Sequence, residues 1–388
     1  MTLINARIYT CEDRIIENGF ISFEDGVITQ IGDMNGYTPS QSDVDICGKS
    51  IYPGFIDAHT HLGMWEDSLG FEGDDGNEET DPATPQLRAI DAVNGYDKCF
   101  SEALAGGVTA VVTGPGSANP IAGQNICIKT TPGRIDNIIV SSPMAMKMAF
   151  GENPKTVYHG KQEAPYTRMA TAAIIREQLS LAVRYMEDVE KSIADPDTDR
   201  PEFDAKLEAL LPVVRGEMQV HFHAHRRDDI FTAIRIAEEF DLDYVVVHAT
   251  EGHLCAQELK ECGARVMSGP YLCDRSKPEL QNLSAASPGI MAKEGIKTAI
   301  ITDHPVIPIQ YLPLCAGLAV REGMDYTDAL RAITIVPAEI LGVDDMVGSL
   351  KVGKDADFSV WSDDPLTLCA KPEMVFIDGK QVYSRAEG

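Results

Sequence analysis

Three features are missing from this 388-residue chain, and each absence removes a class of protein. No stretch of about 18 uncharged apolar residues occurs, so a membrane-spanning helix is not expected. Met1-Thr-Leu-Ile-Asn5 reads as the start of a strand, without the basic segment and apolar run of a secretory leader. There is also no run of lysine or arginine. With 33 basic against 60 acidic residues and a formal net charge of -27, the chain repels a phosphate backbone, and nucleic acid is excluded as an expected partner. The acidity itself reads as solubility. Finally, the nine cysteines are scattered, odd in number and free of any Cys-x-x-Cys pair. They offer neither a disulfide frame nor a thiolate metal knuckle and fit a reducing cytoplasm, the expected location.

What is present is ordinary globular text, 44% hydrophobic and 24% charged, on a chain longer than one usual core. Residues 3–9, 19–24 and 27–31 read as short strands, with Glu24-Asp25-Gly26 as a turn. The same texture returns over 348–361 and 374–383, where Asp378-Gly379 marks a hairpin. Each end alone is too small to bury a core, so 1–50 and 345–388 are expected to pair as one composite β-sandwich domain. Between them, over 51–344, apolar strand-like runs alternate with helical patterns, which predicts an α/β fold and a (β/α)8 TIM-like barrel. Its eight expected strands are 54–61, 109–114, 126–130, 144–150, 219–225, 244–250, 265–272 and 298–304. Helices are expected over 86–105, 167–193, 203–214, 228–240 and 328–341.

The stretch Ile51-Tyr-Pro-Gly-Phe-Ile-Asp-Ala-His-Thr-His61 enters through a Pro-Gly turn and ends in two histidines one residue apart. On a strand these project to one side, with Asp57 below them, and neutral imidazole suits zinc, iron or nickel. Alone, His-x-His fits two polar residues at a strand end equally well. However, Val220-His-Phe-His-Ala-His225 sets three histidines on one strand face, Val245-Val-Val-His248 ends another strand, and Ile300-Ile-Thr-Asp303 brings a carboxylate to the last. Seven of the nine histidines lie in or just after expected barrel strands, whose ends carry the site in such folds.

These residues, with Gly106-Gly-Val-Thr-Ala-Val-Val112 and Gly348-Ser-Leu-Lys-Val-Gly-Lys-Asp-Ala-Asp357, make the chain resemble the amidohydrolase superfamily over nearly its whole length. Gly116 to Gln124 looks most like the branch holding imidazolonepropionase and Xaa-Pro dipeptidases. The resemblance implies divalent transition metal, zinc first, at one or two ions per chain. It makes His59 and His61 ligands of the more buried ion, Asp303 a further ligand and the general base, and His223 and His248 the remaining histidine ligands. His221 is then deeper in the barrel, and His225 is left to face substrate and stabilise an oxyanion. Many members bridge two metals with a lysine carboxylated by carbon dioxide on the fourth strand, where Lys147 stands; Lys129 on the third strand competes for that role. The expected activity is hydrolysis of a carbon-nitrogen bond in a linear or cyclic amide, as in a dipeptidase or N-acyl hydrolase. Its rivals are a mononuclear deaminase or imidazolonepropionase-like enzyme, with Lys147 structural, and a noncatalytic scaffold.

Two loop readings complete the expectations. Residues 64–81, after the His59 strand, carry eight acids, Asp67 among them, and read as a solvated loop or a lid. Arg226 and Arg227 leave the His223 strand at the active-site end. With His225 they are the expected grip on an anionic small-molecule substrate, unless they pair with Asp228 and Asp229. Whether the chain forms a homo-oligomer is left open by the sequence.

Overall fold

The computed structural model describes residues 1–66 and 70–385. Its first strands, β1 (Thr2–Tyr9), β2 (Ile15–Glu24), β3 (Val27–Asp33), β4 (Val44–Asp45) and β5 (Ser50–Pro53), come from the N-terminus. The barrel strands follow: β6 (Phe55–Thr60), β7 (Val108–Thr113), β8 (Ile121–Lys129), β9 (Ile139–Ala149), β10 (Gln219–Ala224), β11 (Tyr244–His248), β12 (Val266–Ser268) and β13 (Thr298–Ile300). The C-terminus adds β14 (Phe358–Trp361), β15 (Pro372–Ile377) and β16 (Lys380–Ser384).

The two ends do pair, as one eight-stranded sheet in the order β16-β15-β14-β5-β1-β2-β3 with β4 beside β1. Its hairpins turn where the sequence signals them: Asp25 and Gly26, then Asp378 and Gly379, all adopt the positive φ that a two-residue hairpin turn demands. Phe23 on β2 meets Phe358 on β14 and Phe376 on β15, with ring centroids 5.4 and 5.7 Å away. In a flat sheet strands that far apart in the order would be about 14 Å or more from one another, so this sheet curls back over a shared apolar core. Among the described residues no helix is long and apolar enough to cross a membrane.

The central eight strands form a second sheet in sequence order, nearly closed into a barrel. β6 and β7 are buried throughout, as expected of strands covered on both faces. Closure runs through side chains and loops: Thr302 donates to Asp57 Oδ2 from its backbone N (3.0 Å) and its hydroxyl (2.5 Å), and His61 N donates to His304 O at 2.8 Å. The expected alternation fails at one strand. β8 runs antiparallel to both β7 and β9, so the barrel is not a regular (β/α)8. Only residues 114–120 and 130–138 connect it, too few for the helical crossover of a dozen or more residues that parallel pairing requires.

Two expected helices are also shorter. The 86–105 segment is α-helical only over Lys98–Ala105, capped by Asp97 accepting from Cys99 N. Upstream, the backbone straps β8 instead, with Thr84 N on Ile121 O (2.9 Å) and Gln124 N on Leu87 O (2.8 Å). The 328–341 segment splits into Tyr326–Arg331 and Ile335–Leu341. Pro337 has no N–H for the carbonyl of Ile333, and that carbonyl accepts from Ile56 N of β6 at 2.8 Å, tying the segment before the last helix to β6.

Lys129, the rival bridging lysine, lies at the other end of β8. Its Nζ pairs with Asp355 at 2.7 Å, with Asp357 at 3.2 Å and with Asp378, so it fastens the barrel to the terminal sheet. Asp357 is almost fully buried, and even beside this lysine burial pushes its carboxyl up to about 6. Lys129→Met should therefore lower the unfolding free energy by about 3 kcal/mol or more, the usual consequence of leaving a buried charge without its partner. Urea unfolding checks this; an unchanged midpoint would show the knot to be dispensable.

Candidate active site

At the C-terminal end of β6, His59 and His61 share one face, and both ε-nitrogens converge on Asp303 Oδ1, at 3.2 and 3.4 Å. His61 is held by its other nitrogen: Nδ1–H donates to Gly114 O at 2.7 Å, which leaves Nε2 as the lone-pair nitrogen. Gly114 has no room for a side chain, because a Cβ there would stand 1.9 Å from Asn125 Oδ1. Asp303 follows β13 in a left-handed conformation (φ 56°), as do His248 (φ 75°), the last residue of β11, and Ala249 (φ 43°) after it. Such non-glycine conformations cost of order 1–3 kcal/mol each and concentrate where side-chain aim matters.

A second group assembles from β10 and β11. One ligand nitrogen from each of His223, His225 and His248 lies within 4.8 Å of the others, and the ligand atoms of His59, His61 and Asp303 meet the same criterion. The two groups adjoin, since the His59 and His248 rings are 5.4 Å apart. His248 repeats the design of His61: Nδ1–H donates to Gly269 O at 2.9 Å, and the buried Nε2 has no hydrogen-bond partner. His225 stacks on His248 (4.4 Å, 11°), with Nδ1 2.7 Å from Thr250 Oγ1. It therefore stands among the ligand nitrogens as well as at the cleft. His221 is deeper, fully buried, with Nδ1 3.3 Å from Asn125 Nδ2.

Lys147 lies on β9 directly beside His221 on β10, and it is fully buried. Its Nζ stands 3.1 Å from His59 Nε2, and among the described residues no carboxylate forms a salt bridge with it. Burial brings its ammonium down to about 8. Burial likewise lowers the histidines, His248 to about 4, His221 to about 3, and His59, His223 and His225 well below the usual range. Burial alone would raise Asp303, but the neighbouring His248, with His59 and His61 beside it, outweighs burial and holds its carboxyl well below the usual range. The site thus offers neutral imidazoles with free lone pairs and one ionised carboxylate. A nitrogen backed by a backbone carbonyl, with its partner nitrogen unsatisfied in the interior, is the arrangement of a metal-ligating histidine, so the donor set fits a divalent transition metal.

Above the histidines opens a cleft of about 730 Å³. Trp65, edge-on to His61 at 4.6 Å, and Asn77 and Glu79 line it, so the acidic segment after β6 contributes to its wall; Asp67 lies outside the described residues. Asn153 also lines it and bridges loops, donating to Ser117 Oγ at 2.8 Å and accepting from Lys277 Nζ at 3.0 Å. Arg226 instead forks onto Asp228 (2.9 and 2.8 Å) and lines a neighbouring pocket, and Arg227 is exposed. Sequence reading did not find Glu279, which is 1% exposed, with Oε1 3.5 Å from His225 Nε2, 3.9 Å from His223 Nε2 and 2.6 Å from Lys277 Nζ. The text around it, Asp274-Arg-Ser-Lys-Pro-Glu279, is that of any polar loop; its carboxylate three residues past a turn carries no periodic signal.

Comparison with known proteins agrees with this geometry. The amidohydrolase family model matches residues 50–382. Amidohydrolase tasK of Hapsidospora irregularis is 31% identical over 388 aligned positions, covering 93% of this chain, which itself spans only 39% of that protein. An imidazolonepropionase of Mesorhizobium japonicum is 24% identical, covering 92% of this chain and 90% of the relative. The crystal structure of an amidohydrolase from Thermotoga maritima MSB8 superposes with a TM-score of 0.94 at 41% identity, covering 99% of this chain and all of the other. With paired ligand groups at the ends of its barrel strands and a family match across the barrel, the chain belongs to the amidohydrolase family and is a hydrolase of that superfamily.

Proposed function

We infer that the protein hydrolyses a carbon-nitrogen bond in a linear or cyclic amide of a small anionic molecule, using two divalent transition-metal ions, with zinc the expected element. One observation carries this reading: two ligand groups adjoin at one barrel end, with the buried, carboxylate-free Lys147 beside them. His59, His61 and Asp303 would hold one ion, His223 and His248 the other, and Lys147, as a carbamate, would bridge them. Bound there, the metal supplies Lewis acidity, which polarises a carbonyl and acidifies water. The chain supplies the proton traffic. Asp303, ionised and aimed by two histidine nitrogens, takes the proton of the attacking water and returns it to the departing nitrogen. His225, at the cleft and stacked on His248, is placed to stabilise the oxyanion. The terminal sheet, 1–50 with 345–388, is taken as a sandwich domain that braces the catalytic barrel over 51–344.

The test is a screen of N-acyl amino acids, dipeptides and cyclic amides, with metal measured on the same preparation. Two ions per chain and hydrolysis of one class are expected; full activity with one ion would favour the mononuclear reading, in which His59, His61, His223 and Asp303 suffice. Asp303→Asn should keep the fold but lower turnover by about 10²-fold or more, the scale of losing a general base. Near-normal turnover would remove Asp303 from the chemistry.

A further inference from the structure

The geometry points to Lys277 as the residue that reads the substrate's acidic group. This rests on the hydrolase reading above and narrows its substrate to amides bearing a carboxylate, or an equivalent anion, close to the scissile nitrogen. Three acids, Glu79, Glu152 and Asp303, line the cleft above the histidines, and an anion entering it needs a cation. Arg226 is already forked onto Asp228 and lines the neighbouring pocket, and neither it nor Arg227 is among the residues lining the cleft. Lys147 is sealed in the barrel floor. Lys277 lines the cleft, and its side chain is 27% exposed.

Its placement is built. Glu279 Oε1 lies 2.6 Å from Lys277 Nζ, and this glutamate is itself fixed from below, its Oε2 accepting from Glu152 N at 3.1 Å. Asn153 Oδ1 accepts from the same Nζ at 3.0 Å. An ammonium has three donors; one is committed to Asn153 and Glu279 balances the charge as an ion pair, so donor capacity is left for a ligand. The pairing with Glu279 holds the lysine at the cleft wall, and the glutamate itself, 1% exposed, is not among the residues lining the cleft. Distance supports the same conclusion. Glu279 Oε1 also stands 3.5 Å from His225 Nε2, so a single glutamate oxygen lies between the ammonium and that histidine. A carboxylate on the carbon next to the scissile nitrogen stands at a similar remove from the carbonyl under attack. Substrates with that acid are N-acyl amino acids and dipeptides.

The test compares wild type, Lys277→Gln and Lys277→Arg, all metal-loaded, on a panel of N-acetyl amino acids and the same panel as carboxamides, by turnover and by ligand-induced thermal shift. Wild type should favour the acids. Lys277→Gln should lower the acid-to-carboxamide ratio of kcat/KM by about 10-fold or more, the worth of one charge-assisted hydrogen bond, and Lys277→Arg should recover part of it. Equal losses on both panels would make Lys277 structural and overturn the assignment. So would a wild type that shows no acid preference in turnover or binding, or a fall of the ratio in Arg226→Ala or Arg227→Ala while Lys277→Gln keeps the wild-type value. A protein that holds no metal and hydrolyses neither panel overturns the hydrolase reading itself, which is a separate result.

Discussion

Replacing His59 or His61 with alanine should strip the metal and the hydrolysis from this protein together. The two rings present ε-nitrogens to the same Asp303 oxygen, and His61 is fixed there by its bond to Gly114 O. Even the outer partners of metal ligands are worth about 10–100-fold in affinity or activity, so losing a ligand should cost at least about 10²-fold in turnover. Metal content, turnover and circular dichroism on one preparation make the check. A folded His59→Ala protein that kept both its metal and its rate would overturn the proposed site.

The strand-end histidines were legible because two simple signals coincide in them: a continuous apolar run predicts a buried strand, and a parity of two fixes which residues share a face. The hairpin turns at Asp25-Gly26 and Asp378-Gly379 were legible for a similar reason, since positive φ narrows the choice of residue. Strand direction was not. The apolar text of Ile121–Lys129 is the same whichever way the strand runs, and only the short connections on either side reveal that it is antiparallel. Loop contacts were hidden too. Lys277, Glu279 and Asn153 come from segments more than a hundred residues apart and meet only because the barrel gathers strand ends into one ring. The same holds for Lys129, whose aspartate partners lie over two hundred residues away, so its role as a fastening was invisible while its candidacy as a bridge was not.

Lys147→Ala should lower turnover by roughly 10²-fold or more, and a small carboxylic acid such as formate should restore part of it. A lysine in the interior is costly unless it is neutralised or paired, and Lys147, whose Nζ stands 3.1 Å from the neutral ring of His59, forms no salt bridge with a carboxylate among the described residues. Carboxylation resolves that conflict. The neutral amine attacks carbon dioxide, a nitrogen-carbon bond forms, one proton leaves, and the side chain becomes an anion with two oxygens in the place where the ligand groups adjoin. Burial, which brings the ammonium down to about 8, favours the neutral amine that this step consumes. In the alanine variant the vacated space can admit a free carboxylate, which supplies the same two oxygens. Lys147→Arg fills the space with a guanidinium that stays charged and forms no carbamate, so it should be as inactive as alanine and should resist rescue. Turnover of the two variants with and without formate, alongside their metal content, decides the matter. An active arginine variant would mean that position 147 serves as a cation, and the carbamate assignment would fall with it.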